Sequence, residues 1–120
     1  MANVNDLYNR SFGQMGSVFN DGTAAITPPN NKVFIAITFL STATFDSSGG
    51  LKADTANDTR EFIGTEAAAH NLSVASETNI SGGGGQQVDV NNSFPKGLTI
   101  YGRWTEIEPA SGTLIAYIGD

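Results

Sequence analysis

Cysteine is absent from the 120-residue chain, and histidine occurs once, at position 70. The lack of cysteine excludes a disulfide framework and a thiolate zinc site. A Ser-His-Asp set would have to use His70, which follows three alanines and stands in no nucleophile motif such as G-x-S-x-G. The sequence therefore predicts no catalytic, cofactor-binding or metal-binding residue, and a protein that is not an enzyme.

Charged residues are also scarce. They make up 15% of the chain, against about 25% in ordinary soluble domains. The six basic residues stand singly along the sequence, and the net charge is −6. Because nucleic acids and anionic membranes are bound by clusters of Lys and Arg, we expect neither of them as a partner.

Long apolar runs are missing as well. The longest lies near residues 33–40, far short of the roughly 20 residues that a transmembrane helix needs. The N-terminal residues, MANVNDLYNR, lack the charged-then-apolar pattern of a secretion signal. We expect a protein that is made and used without such a signal.

The acidic residues offer one candidate cation site, because Asp54, Asp58 and Glu61 lie close together in the sequence. Calcium requires several converging oxygen ligands, and the ordered D-x-D-x-D-G loop is not present. We expect a solvated acidic loop here.

The strongest structural signal is the abundance of β-branched and aromatic residues in residues 32–45, KVFIAITFLSTATF. This segment predicts a strand that is buried on both faces and bends near Ser41. Residues 51–53 and 59–63 are weaker strand candidates, residues 65–71 a candidate for one or two helical turns, and residues 81–85 a glycine-rich hinge or loop tip.

The last third of the chain predicts a β-hairpin. Residues 98–107 alternate in polarity, residues 113–118 do so again, and Ala110-Ser111-Gly112 stands between them. A three-residue hairpin loop usually ends on a glycine with positive φ, the place that Gly112 takes. This register puts Leu114, Ala116 and Ile118 on the same face as Ile100 and Trp104.

Two tyrosines, Tyr101 and Tyr117, then fall on the opposite face of the hairpin. Outward-facing tyrosines suit contact with another protein or with sugar rings. The alternative is that both faces are buried, in a sandwich or beneath the N-terminal segment.

The N-terminal residues 1–31 look unlike a compact core, since their large apolar residues stand singly among Asn, Asp, Gly and Ser. We expect residues 1–31 to form an extended arm that docks on a neighbouring subunit through Phe12, Met15 and Phe19, with a frayed terminus as the alternative. Residues 32–120 form the β domain. The predicted fold is all-β, a small antiparallel sandwich or barrel with an extended N-terminal arm.

The C-terminal stretch, residues 94–120, resembles small virion proteins of tailed bacteriophages. The resemblance is carried by Gly97, the strand I-Y-G-R-W-T at 100–105, the A-S-G turn at 110–112 and the final I-A-Y-I-G at 115–119. It implies a capsid decoration or cement protein, bound outside the shell and bridging capsomers. The implied partners are the major capsid protein or another virion protein, together with further copies of the chain, as a trimer in the favoured case. The implied location is the virion, assembled in the host cytoplasm.

Two alternatives to capsid decoration stay open. One is a tail-tube, neck or fibre-associated role in the same particles. The other is a carbohydrate-binding β module of a phage adsorption device, whose mark would be exposed Tyr101 or Tyr117 on a concave face with Asn and Asp nearby.

Overall fold

The computed structural model describes residues 15–54, 62–66 and 87–120. The strands of these residues are β1 (Ser17–Asn20), β2 (Val33–Phe39), β3 (Thr44–Phe45), β4 (Leu51–Ala53), β5 (Thr99–Ile107), β6 (Pro109–Ser111) and β7 (Leu114–Gly119). All strand pairs are antiparallel and the described part of the chain contains no helix, so the all-β prediction is confirmed. The choice of a sandwich or a barrel stays a prediction.

The main sheet has the strand order β1-β7-β2-β5-β4, and β3 pairs with β6 in a second, two-stranded sheet. β2 is the central strand, and most of its residues are buried, as predicted from its composition. The chain leaves the main sheet after Phe39 and enters the smaller sheet at Thr44, so the predicted bend near Ser41 is also confirmed.

The predicted hairpin of β5 and β7 is wrong, because β2 lies between these two strands and pairs with both of them. β6, which lies between β5 and β7 in the sequence, pairs with β3 instead of forming part of a tight turn. Gly112 does have a positive φ, 95°. Trp104 and Ile118 both pair with Phe34 and therefore lie on one face of the sheet, as predicted. Only the predicted direct pairing of β5 with β7 is wrong.

The hydrophobic core lies on one face of the main sheet and centres on Trp104, which is fully buried. The indole packs over Gly102, where a Cβ would come within 2.7 Å of the ring. Its Nε1 donates a hydrogen bond of 2.8 Å to the Ile63 carbonyl oxygen. The rings of Phe39, Phe45 and Phe94 form a second aromatic group, with centroids 5.1–5.9 Å apart.

Part of the predicted N-terminal arm belongs to the sheet and the core. β1 pairs with β7, and Ile26 forms a bridge with Ile107. Val18 and Ile26 both pack against the buried cluster. The expectation that residues 1–31 lie outside the core is therefore wrong for this stretch, because a strand with only two apolar side chains can still complete an existing sheet. Residues 1–14 lie outside the described part, where the arm stays a prediction.

The expectation of a solvated acidic loop is wrong for Asp54, which is only 2% exposed. Asp54 directly follows β4, and its backbone N–H donates to the Arg103 carbonyl oxygen at 2.7 Å. This pairing brings the carboxylate to within 3.4 Å of the Arg103 guanidinium. Asp58, Glu61, His70 and the glycine run at 82–85 lie outside the described residues.

Candidate functional site

The face of the main sheet that points away from the core carries two rows of uncharged residues across four strands. The rows follow from the pairing registers of β1, β7, β2 and β5, because directly opposed residues share a face. The first row is Ser17, Tyr117, Ala36 and Tyr101, and the second is Phe19, Ile115, Thr38 and Thr99. We call these eight residues the tyrosine face.

Two aromatic side chains of the tyrosine face are strongly exposed. Tyr101 is 77% exposed and Phe19 is 61% exposed. Between the two tyrosines lies Ala36, which pairs with both and is only 7% exposed. Because Tyr101 and Tyr117 are separated by one strand, their backbones lie about 10 Å apart. The first row thus has two aromatic side chains with a small residue between them.

A β-bulge in β2 produces this arrangement. In a regular strand residues i and i+2 share a face, yet Phe34 faces the core with Trp104 while Ala36 pairs with the outward tyrosines. The register shift lies between Phe34 and Ala36. After the bulge the alternation resumes, with Ile37 in the core and Thr38 on the tyrosine face.

The second row is stabilised by a side-chain hydrogen bond in addition to the backbone pairing of its strands. The hydroxyls of Thr38 and Thr99 are 2.9 Å apart and bond to each other. One of the two hydroxyl donors is therefore used within the sheet. What the face offers to a partner is mainly aromatic and aliphatic surface on a paired backbone.

The eight residues of the tyrosine face are uncharged, and Arg103 lies beside them, two residues after Tyr101 on the same side of β5. The ion pairs of the described residues join Lys52 to Glu106, Lys32 to Asp120 and Arg103 to Asp54. Within residues 15–54, 62–66 and 87–120, no group of three or more His, Cys, Asp or Glu side chains could hold a metal ion. The same residues include no helix long and apolar enough to cross a membrane.

The structure brings together three of the five predicted interaction residues. Phe19, Tyr101 and Tyr117 share the tyrosine face, with Tyr117 half-buried. Met15 is half-buried in the turn before β1 and is not part of the two rows. Phe12 lies outside the described residues, so its docking role stays a prediction.

Five residues of the face were not among the predicted interaction residues. The alternation of residues 98–107 already places Thr99 on the same face as Tyr101, and Ile115 could have been found in the same way, since it is two residues from Tyr117. Ala36 and Thr38 could not, because the bulge breaks the alternation of β2 and its composition indicated burial on both sides. The five residues that were not predicted as interaction residues are Ser17, Ala36, Thr38, Thr99 and Ile115.

No protein-family model, no curated protein and no solved structure matches this chain. The tyrosine face and the motifs of the sequence are therefore the observations that bear on function.

Proposed function

We propose that the chain is a structural protein of a tailed-phage virion, a capsid decoration or cement protein that binds outside the shell and bridges capsomers. Its partners are the major capsid protein or another virion protein, and further copies of itself. The observation that carries the proposal is the tyrosine face, an uncharged and partly aromatic surface on the paired strands of the main sheet. The phage assignment itself comes from the resemblance of residues 94–120.

The chemistry of the tyrosine face favours a protein partner. Tyrosine and other aromatic residues are enriched in protein interfaces, and charged side chains are depleted from interface centres. Tyr101 and Phe19 provide exposed aromatic anchors. The net charge of −6 also suits an outer layer better than contact with packaged DNA.

A carbohydrate-binding module is the second candidate, and the exposed ring of Tyr101 favours it. Sites for small polar ligands combine aromatic surface with a few polar groups that fix the orientation of the ligand. None of the eight residues of the tyrosine face is Asn, Asp, Glu or Arg, and the neighbouring Arg103 already donates to the Asp120 carbonyl oxygen and pairs with Asp54. The threonine hydroxyls of the face already bond to each other. A protein partner therefore fits this surface better than a glycan.

The location is tested on purified particles of the phage that encodes the chain. Gold-labelled antibodies against the chain are expected to decorate the capsid, with the label distributed over the whole shell. Label confined to the tail or its fibres would support the tail-associated alternative instead. Mass spectrometry that finds no copy of the chain in the particles would contradict a virion role.

We predict that Tyr101→Ser weakens attachment to the particle. Loss of an aromatic anchor at the centre of an interface costs about 2 kcal/mol, or roughly 30-fold in affinity. The fold should survive, because the ring is largely exposed. The measurement is the amount of added protein bound to particles stripped of the chain, as a function of concentration.

Val90→Ser is the matched control for this experiment. Val90 is also an exposed large apolar residue, but it lies in a turn outside the main sheet. We expect this variant to bind like the unmodified protein. If both substitutions reduce binding equally, or if neither does, the tyrosine face is not the docking surface.

A further inference from the structure

The outer edge of β1 presents backbone groups that have no strand to pair with among the described residues. The Ile118 N–H donates to the Gly16 carbonyl oxygen at 2.8 Å. In an antiparallel pair, hydrogen-bonded and non-hydrogen-bonded residue pairs alternate. Val18 and Asn20 therefore bond to β7, whereas the N–H and C=O groups of Ser17 and Phe19 point away from it.

The opposite edge of the main sheet, formed by β4, is protected from pairing with another chain. The Thr65 N–H donates to the Leu51 carbonyl oxygen at 2.9 Å, and the Leu51 N–H donates to the Thr65 hydroxyl at 3.0 Å. Lys52 adds a charge to β4 at this edge. Proteins protect edge strands from pairing by covering them or by placing Lys or Pro in them. β1, with the sequence SVFN, has neither a charged residue nor a proline.

We propose that β1 pairs with β1 of a second copy of the chain, antiparallel and across a two-fold axis at Val18. In this register Ser17 of each copy lies opposite Phe19 of the other. All outward backbone groups of these two residues are then satisfied, with about four new hydrogen bonds. In this register the β1 edges of the two copies are complementary to each other, as a two-fold interface requires.

The pairing joins the two tyrosine faces into one surface. The two-fold axis is perpendicular to the sheet, so both faces point to the same side. Phe19 then lies at the centre of the joined surface, which explains why an unpaired edge carries an aromatic residue that is 61% exposed. The assembly contains an even number of chains, in contrast to the trimer that the resemblance favours.

This inference deepens the self-association part of the proposed function and does not depend on capsid binding. It is tested on the isolated full-length protein, whereas the capsid location is tested on particles. Either one can therefore fail while the other holds.

The register is tested by cysteine cross-linking, which the cysteine-free chain allows without background. Across the two-fold axis the Val18 residues form a non-hydrogen-bonded pair with Cα atoms about 4.5 Å apart, within disulfide range. Two copies of Ser17, or of Phe19, are diagonal neighbours about 7–8 Å apart, beyond that range. Under mild oxidation we expect Val18→Cys to form a covalent dimer, and Ser17→Cys and Phe19→Cys to stay uncross-linked.

The role of the backbone edge is tested by comparing Ser17→Pro with Ser17→Ala. Proline removes an N–H that points away from β7, so the monomer should keep its fold while the dimer dissociates at a concentration at least about tenfold higher. Alanine keeps the N–H and should leave the dimer intact. If Ser17→Pro does not fold, Phe19→Lys takes its place, because that exposed side chain supports no core contact.

Sedimentation equilibrium of the unmodified protein gives the mass of the assembly in solution, and therefore the number of chains in it. A dimer, or an even multiple, that forms the Val18→Cys cross-link supports the proposal. A monomer at all concentrations up to the millimolar range, or a trimer, overturns it. Cross-linking of Ser17→Cys or Phe19→Cys without Val18→Cys also overturns it, because the register would then be different.

Discussion

Replacement of Trp104 by alanine is expected to lower the free energy of unfolding by about 3–5 kcal/mol, the range for truncating a buried large aromatic side chain. The indole is fully buried, lies over Gly102 and donates a hydrogen bond to the Ile63 carbonyl oxygen. Loss of the indole leaves a cavity under the sheet and leaves the Ile63 carbonyl oxygen without its hydrogen-bond donor. Urea or thermal unfolding, followed by circular dichroism, measures the change.

Tyr101→Ala is the matched control for Trp104→Ala. The two aromatic residues lie in the same strand, but Tyr101 faces away from the core and is mostly exposed. We expect its replacement to change the free energy of unfolding by less than about 1 kcal/mol. Similar losses for both variants would contradict the assignment of the two faces of β5.

The two faces of β5 and β7 were predictable from the sequence because their side chains alternate regularly. Polarity with a period of two is the direct signature of a half-buried strand. This alternation places Ile100 and Trp104 on the core side, and Tyr101 and Tyr117 on the other side. These assignments do not depend on which strand lies between β5 and β7.

Strand order was not predictable in the same way. A short loop with a suitable glycine, Gly112, suggested a hairpin, and nothing in the local pattern shows that β2 lies between the two strands. Sheet order depends on long-range pairing, in this case the apolar β2 meeting both β5 and β7. The β2 bulge is also invisible to periodicity, so Ala36 could not be assigned to the tyrosine face.

The N-terminal segment shows that an edge strand can give only a weak signal in the amino-acid sequence. β1 has four residues, and of these only Val18 packs against the core. Its stability comes from pairing with β7, a strand almost 100 residues away in the sequence. Its low apolar content makes β1 difficult to predict from the sequence. Because β1 is an edge strand, one side of its backbone can pair with a partner, which is its proposed role.

The turn between β6 and β7 gives the second large effect. Gly112→Ala is expected to lower the free energy of unfolding by about 2–5 kcal/mol, the sum of two costs. One is backbone strain, because φ is 95° at this position. The other is steric: a Cβ would lie 2.5 Å from the Ala43 Cβ and 2.6 Å from the Thr42 carbonyl oxygen.

The surroundings of Gly112 have little room to relax. Ala43 is fully buried, and its N–H and carbonyl group exchange hydrogen bonds of 2.9 and 2.8 Å with Phe94. To accommodate a methyl group, the chain must move this bridge or the β6–β7 turn. Both movements disturb the contact between the smaller sheet and the beginning of β7.

Gly97→Ala separates the two costs. Gly97 has nearly the same backbone conformation, with φ of 88°, but a Cβ there would meet nothing within 4 Å. Its replacement should therefore cost only the strain, about 1 kcal/mol. Chemical denaturation of the two variants under one set of conditions measures the difference, which reports the steric clash with Thr42 and Ala43. Equal losses at the two glycines would mean that Gly112 is not packed against Ala43.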